Sequence, residues 1–364
     1  MFASIAMAFA GIGDALLYPV LPVYAEALGL SSLWVGILLS INRFIRIPGN
    51  FLIAILVAKI GNKKTIIIAL FIATLTTSCY GLGLGIVLFL VARILWGLSY
   101  SALRISSLSY AAKATLRQNL LFGMNASIKT LGAVVALILG TYLIKITNIQ
   151  ISFLMLGAIS FVGLFFAYQL PNTKNTFSNS KKILPTKISL TGIILFLTSF
   201  SIDGVLVVVI SKILFENNLD QAQIVLVVGA YLLFRKLCSA LIPIPIGLLA
   251  DRISLVPIFK ISLVASIFSL VLVGTSFSQL GIVGAFLFNS IIVSMSPAVA
   301  LKENKNNTLT VLAAITTWWD LGAASGTLLG LILLQYLSQS ILFFGLAMIL
   351  TISTIYFFRK SASF

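Results

Sequence analysis

No histidine occurs anywhere in the 364 residues, and only eight aspartates and glutamates accompany 24 lysines and arginines. Histidine is thereby excluded as a proton carrier, which leaves that task to carboxylates or a desolvated lysine. Charge of either sign is scarce at 9%, against 60% apolar residues and a mean hydropathy of +1.14. Such a composition excludes a soluble globular protein and points to a polytopic membrane protein. The two cysteines, Cys79 and Cys238, both fall in apolar runs. They are expected to pack as small hydrophobes, and no disulfide, metal site or cofactor is expected. A nucleotide loop is also missing, since Gly61-Asn62-Lys63-Lys64-Thr65 lacks the earlier glycine at P-loop spacing and lies at a membrane turn. The first apolar run is too long for a cleavable signal peptide, lacks a basic flank and contains Asp14, so it reads as the first span, with no domain before it.

What is present is a series of apolar runs, read at 2–25, 33–58, 65–84, 86–111, 119–144, 150–170, 188–214, 222–250, 255–277, 280–300, 308–336 and 339–358. Twelve spans are expected, most of them long enough to cross a bilayer as helices. The net charge of +16 would suggest nucleic acid in a soluble protein, but its distribution reports topology instead. With the amino terminus inside, fifteen lysines and arginines fall in connections on the inner side, among them Lys59, Lys63, Lys64, Arg252 and Lys302, and only Lys145 and Lys212 on the other. The positive-inside rule then puts both termini in the cytoplasm of a multi-pass protein of a bacterial-type inner membrane, with no nucleic-acid partner. The Pro171–Lys187 stretch, PNTKNTFSNSKKILPTK, is the one long polar connection. It reads as a solvated linker, or as a basic contact to lipid headgroups, between bundles at 1–170 and 188–364.

The sequence also repeats. Arg43 to Arg235 and Lys59 to Asp251 are both 192 residues apart, and Gly132 to Gly322 and Gly140 to Gly330 both 190, so the chain reads as a duplication of six spans. In the second span Arg43, Arg46 and Asn50 fall on one stripe of a helix, because spacings of three and seven return to the same face. At about 1.5 Å per residue Arg43 lies roughly 15 Å deep. An arginine there costs at least ~2.5 kcal/mol unless it faces protein or water. Either these arginines snorkel or form buried ion pairs that fix packing, or they bind an anion. Asp14, halfway across the first span, is either the partner of a nearby arginine or a proton or cation site.

The run from Asp14 through Tyr18-Pro19-Val20-Leu21-Pro22-Val23-Tyr24 and Gly36, with the charged turn after the second span, resembles the major facilitator superfamily, closest to its drug and metabolite exporters. The family's turn reads approximately G-x-L-A-D-R-x-G-R-K, which Gly247-Leu248-Leu249-Ala250-Asp251-Arg252 matches. The first half keeps Gly61, Lys63 and Lys64 but has Lys59 in place of the aspartate. These turns, by resemblance, gate closure. Arg93 and Gly97 match an R-x-x-x-G pattern of the fourth span, where the resemblance links the arginine to proton transfer; Arg104, nearer the end, is expected to snorkel. The exporter signature of the fifth span, with its Gly-Pro pair, is not present at 132–140. The resemblance implies an all-α membrane protein, twelve helices in two pseudo-symmetric six-helix bundles.

Ionisable residues well inside spans are Asp14, Arg43, Arg46, Arg93, Arg104, Lys129, Asp203, Arg235, Lys236 and Asp320. Spans 3, 6, 9 and 12, like span 10, hold none. The resemblance makes spans 3, 6, 9 and 12 the lipid-facing helices while the others line an aqueous cavity, which the cost of charge in lipid matches. Seven basic groups against three acidic ones favour an anion. The expected substrate-binding residues are Arg43, Arg46, Asn50, Lys129, Arg235 and Trp319, with Arg43 and Arg235 as equivalent arms. The proton-coupling candidates are Asp14, Asp203, Asp320 and Arg93. The expected function is alternating-access secondary transport by a monomer, exporting a small organic anion such as a carboxylate siderophore or a drug-like compound in exchange for protons, and not an enzyme activity. The alternatives are an importer or exchanger of organic or phosphorylated anions, and a transport-dead membrane receptor or scaffold.

Overall fold

The structure, a computed structural model, describes residues 1–23, 32–82, 85–172, 189–215, 221–304 and 307–360. Most of the expected linker at 171–187 lies outside them. The elements are α1 (Phe2–Ala10), α2 (Ile12–Val23), α3 (Ser32–Ile60), α4 (Asn62–Gly81), α5 (Ile86–Ala112), α6 (Gln118–Ile146) and α7 (Ile149–Tyr168). After the linker come α8 (Leu190–Thr198), a π-helical segment Ser199–Leu206, α9 (Val207–Phe215), α10 (Gln221–Leu241), α11 (Pro243–Arg252), α12 (Leu255–Val273), α13 (Ser278–Glu303), α14 (Thr308–Tyr336) and α15 (Gln339–Lys360). Backbone groups in hydrocarbon must be satisfied within the segment, which is why long apolar runs become helices. Eleven of the described helical stretches are long and apolar enough to cross a membrane. The twelfth expected span is the pair α1 and α2, interrupted at Gly11.

The breaks follow local chemistry. Gly61, between α3 and α4, has φ 86°, a left-handed conformation that a side chain strains. Pro243 stands at the start of α11, where its missing N–H costs nothing, and so divides α10 from α11 within the eighth span.

By contacts the chain forms two compact units, residues 1–114 with 124–184, and residues 115–123 with 185–364. In the first, α4 packs on α5 and α7, α3 on α5, and α1 on α5 and α7. Its apolar core gathers Leu16, Leu17, Leu38, Phe89 and Phe153, with Tyr80 stacked on Phe89 at 5.0 Å and edge-on to Phe153 at 5.9 Å. In the second, α12 packs on α13 and α15, and the π-helical segment lies along α14. Its core includes Ile202, Leu206, Phe286 and Phe343.

The surface is apolar, unlike that of a soluble protein, and a few charged and polar groups lie inside with the apolar core. Large apolar side chains such as Phe71, Phe165, Phe268 and Met348, on α4, α7, α12 and α15, are exposed. Arg93, Arg46, Asn50 and Asp320 are buried. Lipid solvates the former as well as a core would, so the helices are held together by close packing and interior polar bonds.

Candidate functional site

In the first unit a single carboxylate ties three helices. Asp14 lies in the first turn of α2, placed there by the restart after Gly11, and its charge complements the helix N-terminus. Arg93, completely buried on α5, bonds Asp14 Oδ1 through Nη1 and donates from Nε to the Leu38 carbonyl of α3 at 2.7 Å. Asn42, one turn after Leu38, donates from Nδ2 to the same Asp14 Oδ1 at 3.2 Å. The carboxylate compensates the guanidinium, and removing one partner of such a pair costs about 3–5 kcal/mol.

Further along, the Arg46 guanidinium lies over the Tyr100 ring at 4.8 Å, and Tyr100 stacks on Trp96 at 5.2 Å. Arg93, Tyr100 and Arg104 share a face of α5, since spacings of seven and eleven return close to the same direction. Arg104 is buried, which corrects the expectation that it snorkels: protein encloses it. Burial also redraws the stripe on α3. Asn42, Arg46 and Asn50, four residues apart, are buried, whereas Arg43 is half-buried beside exposed Phe44. Lys129 on α6 is half-buried.

The second unit repeats the theme with four segments. Asp203 sits in the π-helical segment between α8 and α9, and such widened turns recur at functional sites. Its Oδ1 accepts from Arg235 Nη2 of α10 at 2.6 Å and from Asn289 Nδ2 of α13 at 3.1 Å, and its Oδ2 from Trp319 Nε1 of α14 at 3.1 Å. The close approach of α14 depends on glycine: a Cβ on Gly204 would lie 2.6 Å from Gly326 Cα. The Arg235 side chain keeps 26% of its surface exposed, whereas that of Asp203 keeps 6%. Phe286 lies 5.9 Å from the Arg235 guanidinium. Trp319 is half-buried beside Trp318, which is edge-on to Phe196. Asp320 is buried, and Lys236, next to Arg235, is exposed.

The two clusters are related by an exchange. In the first the arginine comes from the fourth span of its half and the asparagine from the second; in the other the arginine comes from the second span and the asparagine from the fourth. The aligned pair Arg43 and Arg235 therefore occupies unequal surroundings, because Asn42 makes the bond to the carboxylate that its neighbour's alignment suggested. The sequence reading missed Asn42, Trp96, Tyr100 and Asn289. A polar amide inside an apolar span was the available signal for both asparagines; the aromatic rings carry none, since they resemble ordinary core.

The two turns also differ. Asp251 Oδ1 and Oδ2 accept from the backbone N–H groups of Asn119 and Leu120, at 3.1 and 3.0 Å, so its carboxylate caps the N-terminus of α6. Gly247 permits this approach, for a Cβ there would lie 2.7 Å from the Asn119 carbonyl oxygen. Arg252 is exposed. In the first half Lys59 and Lys64 are exposed, and Lys63 Nζ donates to the Tyr168 carbonyl at 2.7 Å. At the opposite end of the second unit, a cavity of about 430 Å³ is lined by Lys212, Thr275, Ser276, Ser338 and Gln339 among others. No group of metal-ligating side chains occurs among the described residues.

Comparison with known proteins agrees with this architecture. The family model of the Major Facilitator Superfamily matches residues 3–191. Among solved structures, the transporter FucP in its outward conformation superposes with a TM-score of 0.78 at 13% identity, covering 98% of this chain and 96% of that one. The human organic anion transporter MFSD10 gives 0.74 at 14% identity, with 97% of each chain covered. The proton:xylose symporter XylE gives 0.70 at 13% identity, over 98% and 94%. No curated protein sequence matches the chain.

Proposed function

This chain belongs to the Major Facilitator Superfamily, a family of membrane transporters, and from that premise we propose that it is a secondary carrier exporting a small organic anion in exchange for protons. The observation that carries the proposal is the pair of interior carboxylates, half-buried Asp14 and buried Asp203, each bound by a guanidinium and an asparagine amide from other helices. Protonating such a carboxylate cancels the charge that holds its arginine, so proton occupancy changes which helices are tied together. The ties join the first, second and fourth spans of one half, and the first, second, fourth and fifth of the other. Arg43, Arg46 and Arg235 supply planar donor forks suited to a carboxylate or phosphate, and the excess of buried positive charge selects an anion. Lys129 and Asp320 complete the candidate ionisable set. The gating role of the turns rests on Asp251, whose contact with the first turn of α6 has no equivalent at Lys59. Both termini are taken as cytoplasmic and the carrier as a monomer.

A second reading, uptake of an anion together with protons, is favoured by the missing Gly-Pro pair at 132–140 and by the proton symporters among the structural neighbours. The test is flux into proteoliposomes of purified carrier, with labelled anions and an imposed pH gradient. Accumulation driven by the gradient, and lost in Asp14→Asn or Asp203→Asn with exchange retained, is the expected result. The sign of the gradient that drives it separates export from uptake, and accumulation unchanged in the double variant removes both carboxylates from the coupling.

A further inference from the structure

We propose that the cavity beside Lys212 in the second unit is a binding site for a phosphate group. It shares no residue with the interior carboxylate clusters, so the proposal is independent of which anion the carrier moves. At about 430 Å³ it has the size of a small-ligand pocket. Its walls come from α9, the turn after α12, the last turn of α14 and the start of α15.

The lining is rich in donors, and the carbonyls beside it are already engaged. Lys212 Nζ gives one of its three N–H groups to the Leu334 carbonyl at 3.2 Å. Gln339 Nε2 donates to the Val273 carbonyl and Ser340 Oγ to the Gly274 carbonyl, both at 2.6 Å, and Thr275 Oγ1 donates to the Leu272 carbonyl at 2.8 Å. The C-terminal carbonyls of α12, whose partial negative charge repels an anion, are thereby tied off by the cavity's own side chains. What the lining still offers is the rest of the ammonium, the second N–H of the Gln339 amide and the exposed hydroxyls of Ser276 and Ser338. No acidic side chain is among the described lining residues.

That donor set suits a phosphate better than a planar carboxylate. An ammonium is a point charge without a fork, and hydroxyl and amide donors from two separate turns meet the oxygens of a tetrahedral anion from different sides. Phe277, Tyr336 and Ile341, each next in sequence to a lining residue, are exposed, so apolar surface adjoins the cavity at the ends of the spans. Headgroups lie at that depth, and aromatic side chains are enriched there. On the topology proposed above this is the outer face, where Lys212 is one of only two basic residues in the connections, against the bias of the positive-inside rule. The phosphodiester of an anionic phospholipid fits both the donors and the apolar rim; inorganic phosphate fits the donors alone.

The test is native mass spectrometry of the delipidated, full-length carrier in detergent, titrated with dioleoylphosphatidylglycerol or with dioleoylglycerol, which has the same chains and no phosphate. Lys212→Gln should weaken the first phosphatidylglycerol bound by about tenfold, the scale of one lost charged hydrogen bond. Ser276→Ala/Ser338→Ala should weaken it by a smaller factor, and neither change should alter dioleoylglycerol binding. Lys145→Gln, which removes the other outer lysine, should bind as the native protein does. Unchanged thermal unfolding of the lipid-free variants separates a lost site from lost folding, and stabilisation by inorganic phosphate in the same assay reads the free ion. Stabilisation by phosphate that depends on Lys212, without binding of phosphatidylglycerol that does, would keep the phosphate site and exchange the lipid for the free ion. Equal response of the native protein and Lys212→Gln to both probes overturns the site and leaves the transport reading untouched.

Discussion

Arg93 and Arg235 each close on an aspartate from the first span of their own half, yet they stand on helices that are not each other's counterparts. Duplication supplied the positions, and each half then placed its one positive partner differently. What both halves retain is a carboxylate that ties the first, second and fourth spans.

The first prediction concerns the stability of that tie. Arg93→Leu leaves Asp14 half-buried without its cation and should destabilise the purified protein by about 3–5 kcal/mol. Adding Asp14→Asn should restore most of the loss, because no uncompensated charge remains. Thermal unfolding in detergent reads both variants, and a double variant no more stable than Arg93→Leu would show that the pair is not the cause.

Exchange of roles gives a second prediction. The other half shows that an arginine on the second span with an asparagine on the fourth can serve the same carboxylate. The Asn42→Arg/Arg93→Asn variant should therefore recover expression and thermal stability relative to Arg93→Asn alone. A double variant less stable than the single one would mean that the surrounding packing admits only the native placement.

At the turn, Asp251→Asn keeps an acceptor for the α6 amides but loses the charge, a change of about 0.3–1 kcal/mol at a helix N-terminus. Asp251→Leu loses both and should cost about 1–2 kcal/mol. Hydrogen exchange in the peptide covering Asn119 and Leu120 should accelerate in that order. Equal protection in all three proteins would remove Asp251 as the cap.

Topology is open to direct labelling. The basic asymmetry predicts that Ser178→Cys in the linker reacts with an impermeant thiol reagent only after cells are lysed, measured against a background with Cys79 and Cys238 replaced by serine. Equal labelling of intact cells would reverse the orientation.

Composition and periodicity alone made the helices legible, because backbone in hydrocarbon leaves no other choice and the apolar runs mark their lengths. The same argument found which spans carry charge, and hence Asp14, Arg93, Asp203 and Arg235. It could not pair them. Arg43 looked equivalent to Arg235 by alignment, but a shift of one residue turns a helical side chain by about 100°. That shift gives the bond to Asn42. Spacing on α3 admitted two stripes, and only the helices packed against it bury Asn42, Arg46 and Asn50 while leaving Arg43 half-exposed.

The sequence by itself determined that this is a membrane protein of repeated apolar helices with a few interior charges, since the cost of charge and of bare peptide groups in lipid is local and additive along the chain. Only the tertiary structure decided which charges meet, that a π-helical segment holds Asp203 for three helices, and that Arg46 lies over Tyr100 while Trp319 donates to Asp203. Those outcomes depend on the rotation and closeness of helices distant in sequence, which small residues such as Gly204 and Gly326 permit and no single run of residues records.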